Sequence, residues 1–343
     1  MRGCTWRVTS RLLLCAPAVL LLAGCRHNDE NSLEPRSHQA RDIASLFLWM
    51  MGAAWIGLAV VVALLLLSWI RASRRGIGRD TSGLKPGERP GWFVVVGAGI
   101  ALPIAVISTL FVISDIFVIR TTEAPAKSAT KLTVRVIGHD WWWEVRYPAS
   151  GAVTANEIHI PVRTPVRVEV RTADVVHSFW VPELNRKIDT IPERTNAIEL
   201  DADRAGLYRG QCSEFCGLQH AHMGMYVYVE SPRAFRRWLA TQAKPAAPPA
   251  EAVAARGLRE FERGACSSCH AIRGTSATSD VGPDLTHVAG RSTLGAVTIK
   301  NDAHNLADWI AHSQQIKPGN QMPDIRLTKP QLDALVAYLR GLR

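Results

Sequence analysis

Cys212-Ser-Glu-Phe-Cys216-Gly-Leu-Gln-His220-Ala-His-Met223 is the stretch of this sequence that says most about the fold. It places two thiols four residues apart, an imidazole four residues further on and a thioether three residues beyond that. A second imidazole, His177, stands 35 residues before Cys212. Copper favours soft sulfur ligands combined with imidazoles, and blue-copper sites use a similar set. Because two thiolates can bridge two ions, the stretch predicts a binuclear copper site; the alternative is a structural zinc on the same cysteines and histidines.

Short alternating runs surround this stretch and predict the fold that holds it. Apolar and polar residues alternate over residues 132–137, 165–170 and 225–229, and Gly and Pro turns separate the runs. This pattern is typical of a β-sandwich or barrel of Greek-key type, which we expect over residues 130–241. Ser231 and Pro232 then predict the start of a short helix that ends near Gln242.

A second motif, Cys266-Ser-Ser-Cys269-His270, is the signature of covalent haem attachment. The two thiols add to the haem vinyl groups, and the adjacent histidine reaches the iron. Gly282-Pro-Asp-Leu285 and Gly290-Arg291 follow as in small class I cytochromes c, and Met322 precedes the last predicted helix, so we expect it to be the distal ligand. The alternative is a bis-histidine haem completed by one of three other histidines, namely His287, His304 or His312.

The chain around the haem motif has helical rather than alternating patterns. Capping residues and apolar spacing predict helices over residues 251–263, 303–313 and 328–342, the last with a Thr328/Gln331 capping box. These make an all-α domain over residues 253–343. The segment 242–252, which contains Lys-Pro-Ala-Ala-Pro-Pro-Ala, predicts a linker that tethers this domain to the sandwich.

Two apolar stretches near the N-terminus predict a membrane hairpin within residues 26–120. Residues 43–70 and 92–119 are each long enough to span a hydrocarbon core of about 30 Å as a helix. Residues 71–90 between them carry six Lys and Arg against two Asp and Glu, which places this loop in the cytoplasm by the positive-inside rule. We therefore expect everything after Ile119 to lie outside the cytoplasm; a buried core helix is the alternative for each stretch.

The first 25 residues have the pattern of a signal peptide. A basic start and an apolar core lead to Leu22-Ala23-Gly24-Cys25, which resembles the bacterial lipoprotein signal. We expect Cys25 to become the lipidated N-terminus; the alternative is an ordinary signal peptide or an uncleaved leader.

Composition excludes two broad classes of protein. With 343 residues, 47% hydrophobic, the chain is too apolar to be wholly disordered. The loop between the apolar stretches carries +4 of the net charge of +10 and is the most basic segment, and no Lys/Arg-rich stripe remains elsewhere, so we expect no nucleic-acid partner.

Taken together, these residues resemble subunit II of cytochrome c oxidase from residue 43 to about residue 238, followed by a fused class I cytochrome c domain. The resemblance rests on Cys-x-x-x-Cys-x-x-x-His-x-x-Met and on the earlier His-Ser-Phe-Trp-Val-Pro that begins at His177. It implies a multidomain membrane protein with a two-helix hairpin, a cupredoxin-like sandwich and an all-α cytochrome domain. It also implies the side-chain ligands of a Cu-A centre: His177, Cys212, Cys216, His220 and Met223.

The resemblance implies three further site features. Glu214 contributes its backbone carbonyl to copper and its carboxylate to a magnesium ion shared with subunit I. Trp141, in Gly-His-Asp-Trp-Trp-Trp, is where electrons enter the copper domain. The sequence departs from the family at Asp140 and Trp142, where Gln and Tyr are common, and at Val96, where many relatives carry an acidic residue serving a proton channel.

The implied function is that of the electron-entry subunit of a terminal oxidase in the bacterial cytoplasmic membrane. Haem c would pass electrons through Cu-A to subunit I, which reduces oxygen to water and couples this to proton transport. Expected partners are subunits I and III, with a soluble cytochrome c or a quinol–cytochrome c reductase as donor. The alternatives are the Cu-A subunit of a nitric oxide reductase and a membrane-tethered redox carrier without a catalytic partner.

Overall fold

The computed structural model describes residues 30–74, 95–124 and 132–343, together with 91, 126 and 130. The predicted leader with Cys25 and most of the basic loop lie outside the described residues.

Two apolar helical segments precede the β domain. Helix α1 spans His38–Arg74, and helix α2 spans Leu102–Ser114 between two π-helical segments, Gly97–Ala101 and Asp115–Ile119. A last helical turn follows at Arg120–Thr122. Both long segments are long and apolar enough to cross a membrane. In each of them, the most apolar 18-residue window is fully uncovered by the rest of the protein.

Helix α1 begins five residues before the predicted apolar stretch because its first turn is packed against the β domain. The hydroxyl of Ser37 accepts from the amide of Ala40 at 3.0 Å and donates to the carbonyl of Leu184. At the end of the second segment, Arg186 donates to the hydroxyl of Thr122 at 3.0 Å. The start of the first segment and the end of the second therefore lie on the same side, as a hairpin requires.

The β domain is the predicted sandwich. Its two five-stranded sheets have the strand orders β3-β2-β1-β5-β8 and β4-β10-β9-β6-β7. The β1–β5 and β4–β10 pairs are parallel, and the other paired strands are antiparallel. The strands are β1 Thr133–His139, β2 Trp142–Tyr147, β3 Ala152–Ala155, β4 Glu157–Pro161, β5 Val166–Thr172, β6 His177–Trp180, β7 Ile188–Thr190, β8 Asn196–Leu200, β9 Gly206–Cys212 and β10 Gly224–Glu230.

Alternation along these strands produces the core. Val134 and Val136 on β1 and Val166, Val168 and Val170 on β5 are all fully buried, while their neighbours along each strand are mostly more exposed. Apolar residues at every second position cover one face of a sheet, and that face packs on the other sheet. Helix α3, Pro232–Gln242, closes the domain, and the hydroxyl of Ser231 caps it as predicted.

The C-terminal domain is helical. Helices α4 (Ala252–Arg263), α5 (Ala303–Ile316) and α6 (Lys329–Gly341) enclose its core, and a two-stranded ribbon joins β11 (Thr293–Leu294) to β12 (Ile299–Lys300). The predicted Thr328/Gln331 capping box starts α6. Helices α4 and α6 cross closely at Gly257, where a Cβ atom would lie 2.0 Å from the carbonyl oxygen of Ala334.

The linker is packed against the protein rather than being a free tether. The amide of Ala246 donates to the carbonyl of Arg273 at 2.8 Å, and the Arg273 guanidinium donates to the carbonyls of Ala243 and Gly151, each at 3.3 Å. A ring nitrogen of His287 lies 3.0 Å from the carbonyl oxygen of Lys244. These contacts dock the helical domain on the sandwich, so the sequence-based expectation of a simple tether was incomplete.

Candidate metal centres

The two cysteines of the first motif lie next to each other under the surface of the sandwich. Cys212 is the last residue of β9, and Cys216 follows in the loop after that strand. Both are buried, and their Sγ atoms are 3.8 Å apart. The three residues between them make a tight loop, so that Cys212 Sγ also lies 3.2 Å from the backbone carbonyl oxygen of Glu214.

Three further donors surround this sulfur pair. His177 begins β6, and its Nδ1 atom lies 4.0 Å from Cys212 Sγ. On the other side, Cys216 Sγ lies 3.6 Å from His220 Nδ1 and 3.8 Å from Met223 Sδ. One imidazole therefore faces each sulfur. The structure thus brings together all the residues that the sequence singled out for copper.

A neighbouring carboxylate and a glycine fix the orientation of His177. Its Nε2 atom lies 2.8 Å from Asp174 Oδ1, which leaves Nδ1 to face Cys212. A Cβ atom at Gly138 would lie 2.6 Å from the His177 ring, so the ring fits only beside a glycine. Sequence reasoning missed Asp174, although its place three residues before His177 was a usable signal, since ligating histidines commonly hydrogen-bond a carboxylate.

The electrostatics of the sulfur pair favour metal binding. The hydrogen bond from Cys216, with help from His177, lowers the pKa of Cys212 to about 3 although burial opposes this shift. The same hydrogen bond, together with burial, raises the pKa of Cys216. The thiolate is the form that binds metals, so the lowered pKa of Cys212 favours metal binding.

The donor set fits copper better than zinc. Structural zinc sites are tetrahedral and use cysteine, histidine or carboxylate ligands. Here the thioether of Met223 is fully buried against Cys216, and the carbonyl of Glu214 faces Cys212. Weak thioether and backbone oxygen ligands accompany cysteine and histidine in copper electron-transfer sites.

The carboxylate of Glu214 points away from the sulfur pair. It lies 3.3 Å from the ammonium group of Lys187, which also lies 3.5 Å from the carboxylate of Asp189. Among the described residues, this carboxylate is therefore paired with a lysine and is partly exposed.

The residues of the haem motif line one cavity in the helical domain. Cys266, Cys269, His270 and Met322 all contribute to its lining. The His270 Nδ1 atom lies 2.8 Å from the carbonyl oxygen of Pro283.

Two observations test the fit of this cavity to a haem. Burial lowers the pKa of His270, so its ring is neutral, with the Nδ1 proton directed to the Pro283 carbonyl and Nε2 free to bind iron. A Cβ atom at Gly282 would lie 2.6 Å from the His270 ring, so a glycine is needed beside it. Both observations agree with a proximal ligand held in a fixed orientation.

The alternative axial ligands lie elsewhere. Both ring nitrogens of His287 are within 3.0 Å of backbone carbonyl oxygens, and His304 is exposed on α5, where it pairs with Asp308 at 3.2 Å. His312 is also exposed, and none of the three lines the cavity. This arrangement favours Met322 over a second histidine.

Trp141 lies between the two sites. Its indole Nε1 donates to the backbone carbonyl of Cys216 at 2.8 Å, and its side chain lines the haem cavity together with Trp142. Trp142 in turn stacks on His139, with ring centroids 4.3 Å apart. One aromatic residue therefore donates to the backbone of Cys216 and borders the cavity of the neighbouring domain.

Sequence reasoning also missed Lys317. Its ammonium group donates to the carbonyl oxygens of Trp141, His222 and Gly295 at 2.7–2.9 Å. Burial lowers the pKa of Lys317 to about 7, and the electrostatic interaction with Cys216 opposes this effect. His222, which fits no ligand position of the motif, has an exposed side chain, yet its carbonyl is one of these acceptors.

Comparisons with known proteins identify both domains. Residues 150–230 match the family described as cytochrome c oxidase subunit II, periplasmic domain, and residues 254–343 match the cytochrome c family. Cytochrome c oxidase subunit 2 from Alkalihalophilus pseudofirmus is 31% identical, and the similarity covers 98% of both chains. The Bacillus subtilis protein of the same name is 28% identical, also over 98% of both chains. The periplasmic domain of cytochrome oxidase subunit II from Bradyrhizobium japonicum is 33% identical over 33% of this chain and 94% of that one, with a TM-score of 0.32.

The similarity over nearly the full length joins all parts of the chain in one protein family. The apolar helices anchor the chain in the membrane, the sandwich carries the copper-type donor set and the helical domain carries the haem motif. The chain belongs to the cytochrome c oxidase subunit 2 family, and its C-terminal domain is a cytochrome c.

Proposed function

We propose that this chain is the electron-entry subunit of a haem-copper terminal oxidase and that the oxygen-reducing site lies in its partner, subunit I. The observation that carries this proposal is the position of Trp141, which borders the haem cavity and donates to the Cys216 carbonyl. Such an arrangement suits transfer of electrons from the cytochrome domain to the copper domain.

The residues in contact around the sulfur pair are the proposed Cu-A ligands. Bound copper and bound haem each take up and release single electrons; the protein supplies a buried, prearranged set of donors for them. On the copper side these are the side chains of His177, Cys212, Cys216, His220 and Met223 and the carbonyl of Glu214. On the haem side we propose Cys266 and Cys269 as covalent attachments and His270 and Met322 as axial ligands.

Rigid ligands suit electron transfer. His177 is held by Asp174 and Gly138, and His270 is held by Pro283 and Gly282, so neither ring can turn freely. A site whose ligands stay in place needs little rearrangement when its charge changes.

The magnesium proposal needs a change at Glu214. To bind a magnesium ion shared with subunit I, the Glu214 carboxylate must give up its ion pair with Lys187. The Lys187 side chain is partly exposed and can keep its ion pair with Asp189. Subunit III, and a soluble cytochrome c or a quinol–cytochrome c reductase as donor, are further proposed partners.

We also propose the topology and boundaries that the sequence suggested. Both apolar segments cross the bacterial cytoplasmic membrane, with the copper and cytochrome domains on its outer face. The proposed divisions are a leader over 1–25, a hairpin over 26–120, a copper domain over 130–241, a linker over 242–252 and a cytochrome domain over 253–343. Contacts of Ser37 and Thr122 with the sandwich support this hairpin, since both lie at its outer end.

The experiment that tests the function is purification of the complex that contains this chain. We expect copper and covalently bound haem in this subunit, a second subunit with its own haem, and oxygen uptake that depends on a reduced cytochrome or quinol. Nitric oxide reduction without oxygen uptake would instead identify a nitric oxide reductase. If no catalytic subunit purifies with this chain, the chain would be identified as a membrane-tethered redox carrier.

Lipidation of Cys25 is a separate prediction. Because Leu22-Ala-Gly-Cys25 resembles a lipoprotein signal, the mature chain should begin at Cys25 and carry added acyl mass. Mass spectrometry of the mature N-terminus measures both. A chain that begins elsewhere, or one that keeps its leader, would contradict the prediction.

A further inference from the structure

A buried lysine joins the two outer domains. Lys317 lies five residues before Met322 in the cytochrome domain and is 2% exposed. Its Nζ atom donates to the carbonyl oxygens of Trp141 at 2.8 Å and His222 at 2.7 Å in the copper domain, and to that of Gly295 at 2.9 Å in its own domain. All three donors of the ammonium group are used, two of them across the domain boundary.

This arrangement depends on docking. If the cytochrome domain separated from the copper domain, Lys317 would lose its hydrogen bonds to the Trp141 and His222 carbonyls and keep only the one to the Gly295 carbonyl. Burying a charged group is unfavourable unless its hydrogen bonds are made, and a buried carbonyl that loses its donor carries a similar penalty. The lysine therefore favours one specific docked position over others in which Trp141 and His222 are offset.

The segments on either side of Lys317 make matching contacts. Gln219 donates its side-chain amide to the carbonyl of Pro318 at 2.5 Å. Gly319 has a φ angle of +77°, which favours glycine, and it lies against the side chain of Leu218. The loop that leads to Met322 is thus held against the loop that follows Cys216.

The ribbon turn beside Lys317 has a strained backbone. Ala296 and Val297 have φ angles of +62° and +68°, which are unusual for alanine and rare for a β-branched residue. The Ala296 carbonyl accepts from the amide of Gly224 in the copper domain at 3.2 Å, and the adjacent Gly295 carbonyl accepts from Lys317. Strain of this kind persists where surrounding contacts hold it, and here the hydrogen bond from Gly224 across the domain boundary adds to bonds within the turn, such as that from the Thr298 amide to the Leu294 carbonyl at 3.1 Å.

We propose that Lys317 is a positioning residue for electron transfer between the domains. By binding the Trp141 carbonyl it fixes the separation between the haem cavity and the tryptophan that contacts Cys216. Because the rate of electron tunnelling falls steeply with distance, a small displacement of this interface slows transfer without changing either redox centre. This inference rests on the proposed function, since it assumes that haem and copper occupy the two sites.

The test is Lys317→Met in the purified full complex, with Lys329→Met as matched control. Methionine keeps the length of the side chain but removes its three donors, whereas Lys329 is exposed on α6 and pairs with Asp333 at 2.7 Å. Flash-induced electron transfer from haem to copper should slow by about tenfold or more in Lys317→Met and stay unchanged in the control, because displacements of about 1 Å can have larger effects than this. Redox titrations should give unchanged midpoint potentials in both variants.

Hydrogen exchange gives a second readout. The Gly224 amide, which donates across the boundary, should exchange faster in Lys317→Met. An unchanged transfer rate together with unchanged exchange would overturn the proposal, as would a slower rate explained by a shifted potential.

The wild-type complex provides a measurement that needs no variant. Lys317 should react at least about tenfold more slowly than Lys329 with an amine-acetylating reagent, because its amine is buried in the docked position. Equal reactivity would overturn the proposal even if Lys317→Met fails to assemble. Copper and haem analyses of the same samples separate this result from a failure of the proposed function, which would appear as missing metals.

Discussion

We expect Cys216→Ser to abolish the near-infrared copper absorption of the complex and to lower steady-state turnover by roughly 100-fold or more. Serine replaces a soft sulfur by a hard oxygen that neither suits copper nor bridges two ions as a thiolate does. Even changes beyond the direct ligands of a metal site commonly reduce affinity or activity about 10- to 100-fold, so loss of a bridging ligand has at least this effect. The spectrum of haem c should be retained, because its ligands come from the other domain.

Ser213→Ala is the matched control in the same loop. Ser213 lies next to Cys212, and its backbone amide donates to the carbonyl of Ser178 at 2.9 Å. Alanine keeps this hydrogen bond because the donor belongs to the backbone. We expect normal copper absorption and turnover in this variant. Normal copper content in Cys216→Ser would show that the sulfur pair does not hold the copper.

We expect Met322→His to lower the midpoint potential of haem c by roughly 120 mV. Methionine–histidine ligation raises the potential of a haem relative to ligation by two histidines. At about 59 mV per tenfold change for one electron, this shift moves the haem–copper equilibrium about a hundredfold toward oxidised haem and reduced copper. A redox titration of the haem absorption band measures the potential directly.

His304→Gln is the control for the bis-histidine alternative. His304 is exposed and pairs with Asp308, so its loss should leave the haem potential unchanged. An unchanged potential in Met322→His would mean that Met322 is not an iron ligand.

The donor sets could be predicted because most of each one lies in a short segment. Cys212, Cys216, His220 and Met223 come from one strand end and the loop after it, where spacing along the chain limits spacing in space. The same holds for the haem motif. His177 lies on another strand, 35 residues before Cys212, so spacing along the chain could suggest it as a second imidazole but could not place it beside the loop.

The interdomain contacts could not be predicted because most of them use backbone carbonyls. Lys317 binds the backbone carbonyls of Trp141 and His222, which precede it in the sequence by 176 and 95 positions. Any residue type supplies such an acceptor. Arg273 and His287 likewise contact backbone carbonyls of the linker, those of Ala243 and Lys244. A Pro- and Ala-rich composition describes how stiff the linker is, but says nothing about which side chains elsewhere bind its backbone.

The start of the first helix shows a similar limit. Apolar composition defined the part that crosses the membrane, whereas the first turn is set by Ser37, which bonds to Leu184 in the sandwich. A distant carbonyl again decided where the element begins.

The docked position of the cytochrome domain over Trp141 changes the reaction order of electron delivery to the copper domain. A separate donor would have to find Trp141 by diffusion, so its rate would depend on donor concentration. Here Trp141 already borders the haem cavity, and Lys317 holds its carbonyl. On the proposed function, transfer between the domains would therefore be first order and unaffected by dilution, and the supply of electrons from outside could vary without changing the rate of this internal step.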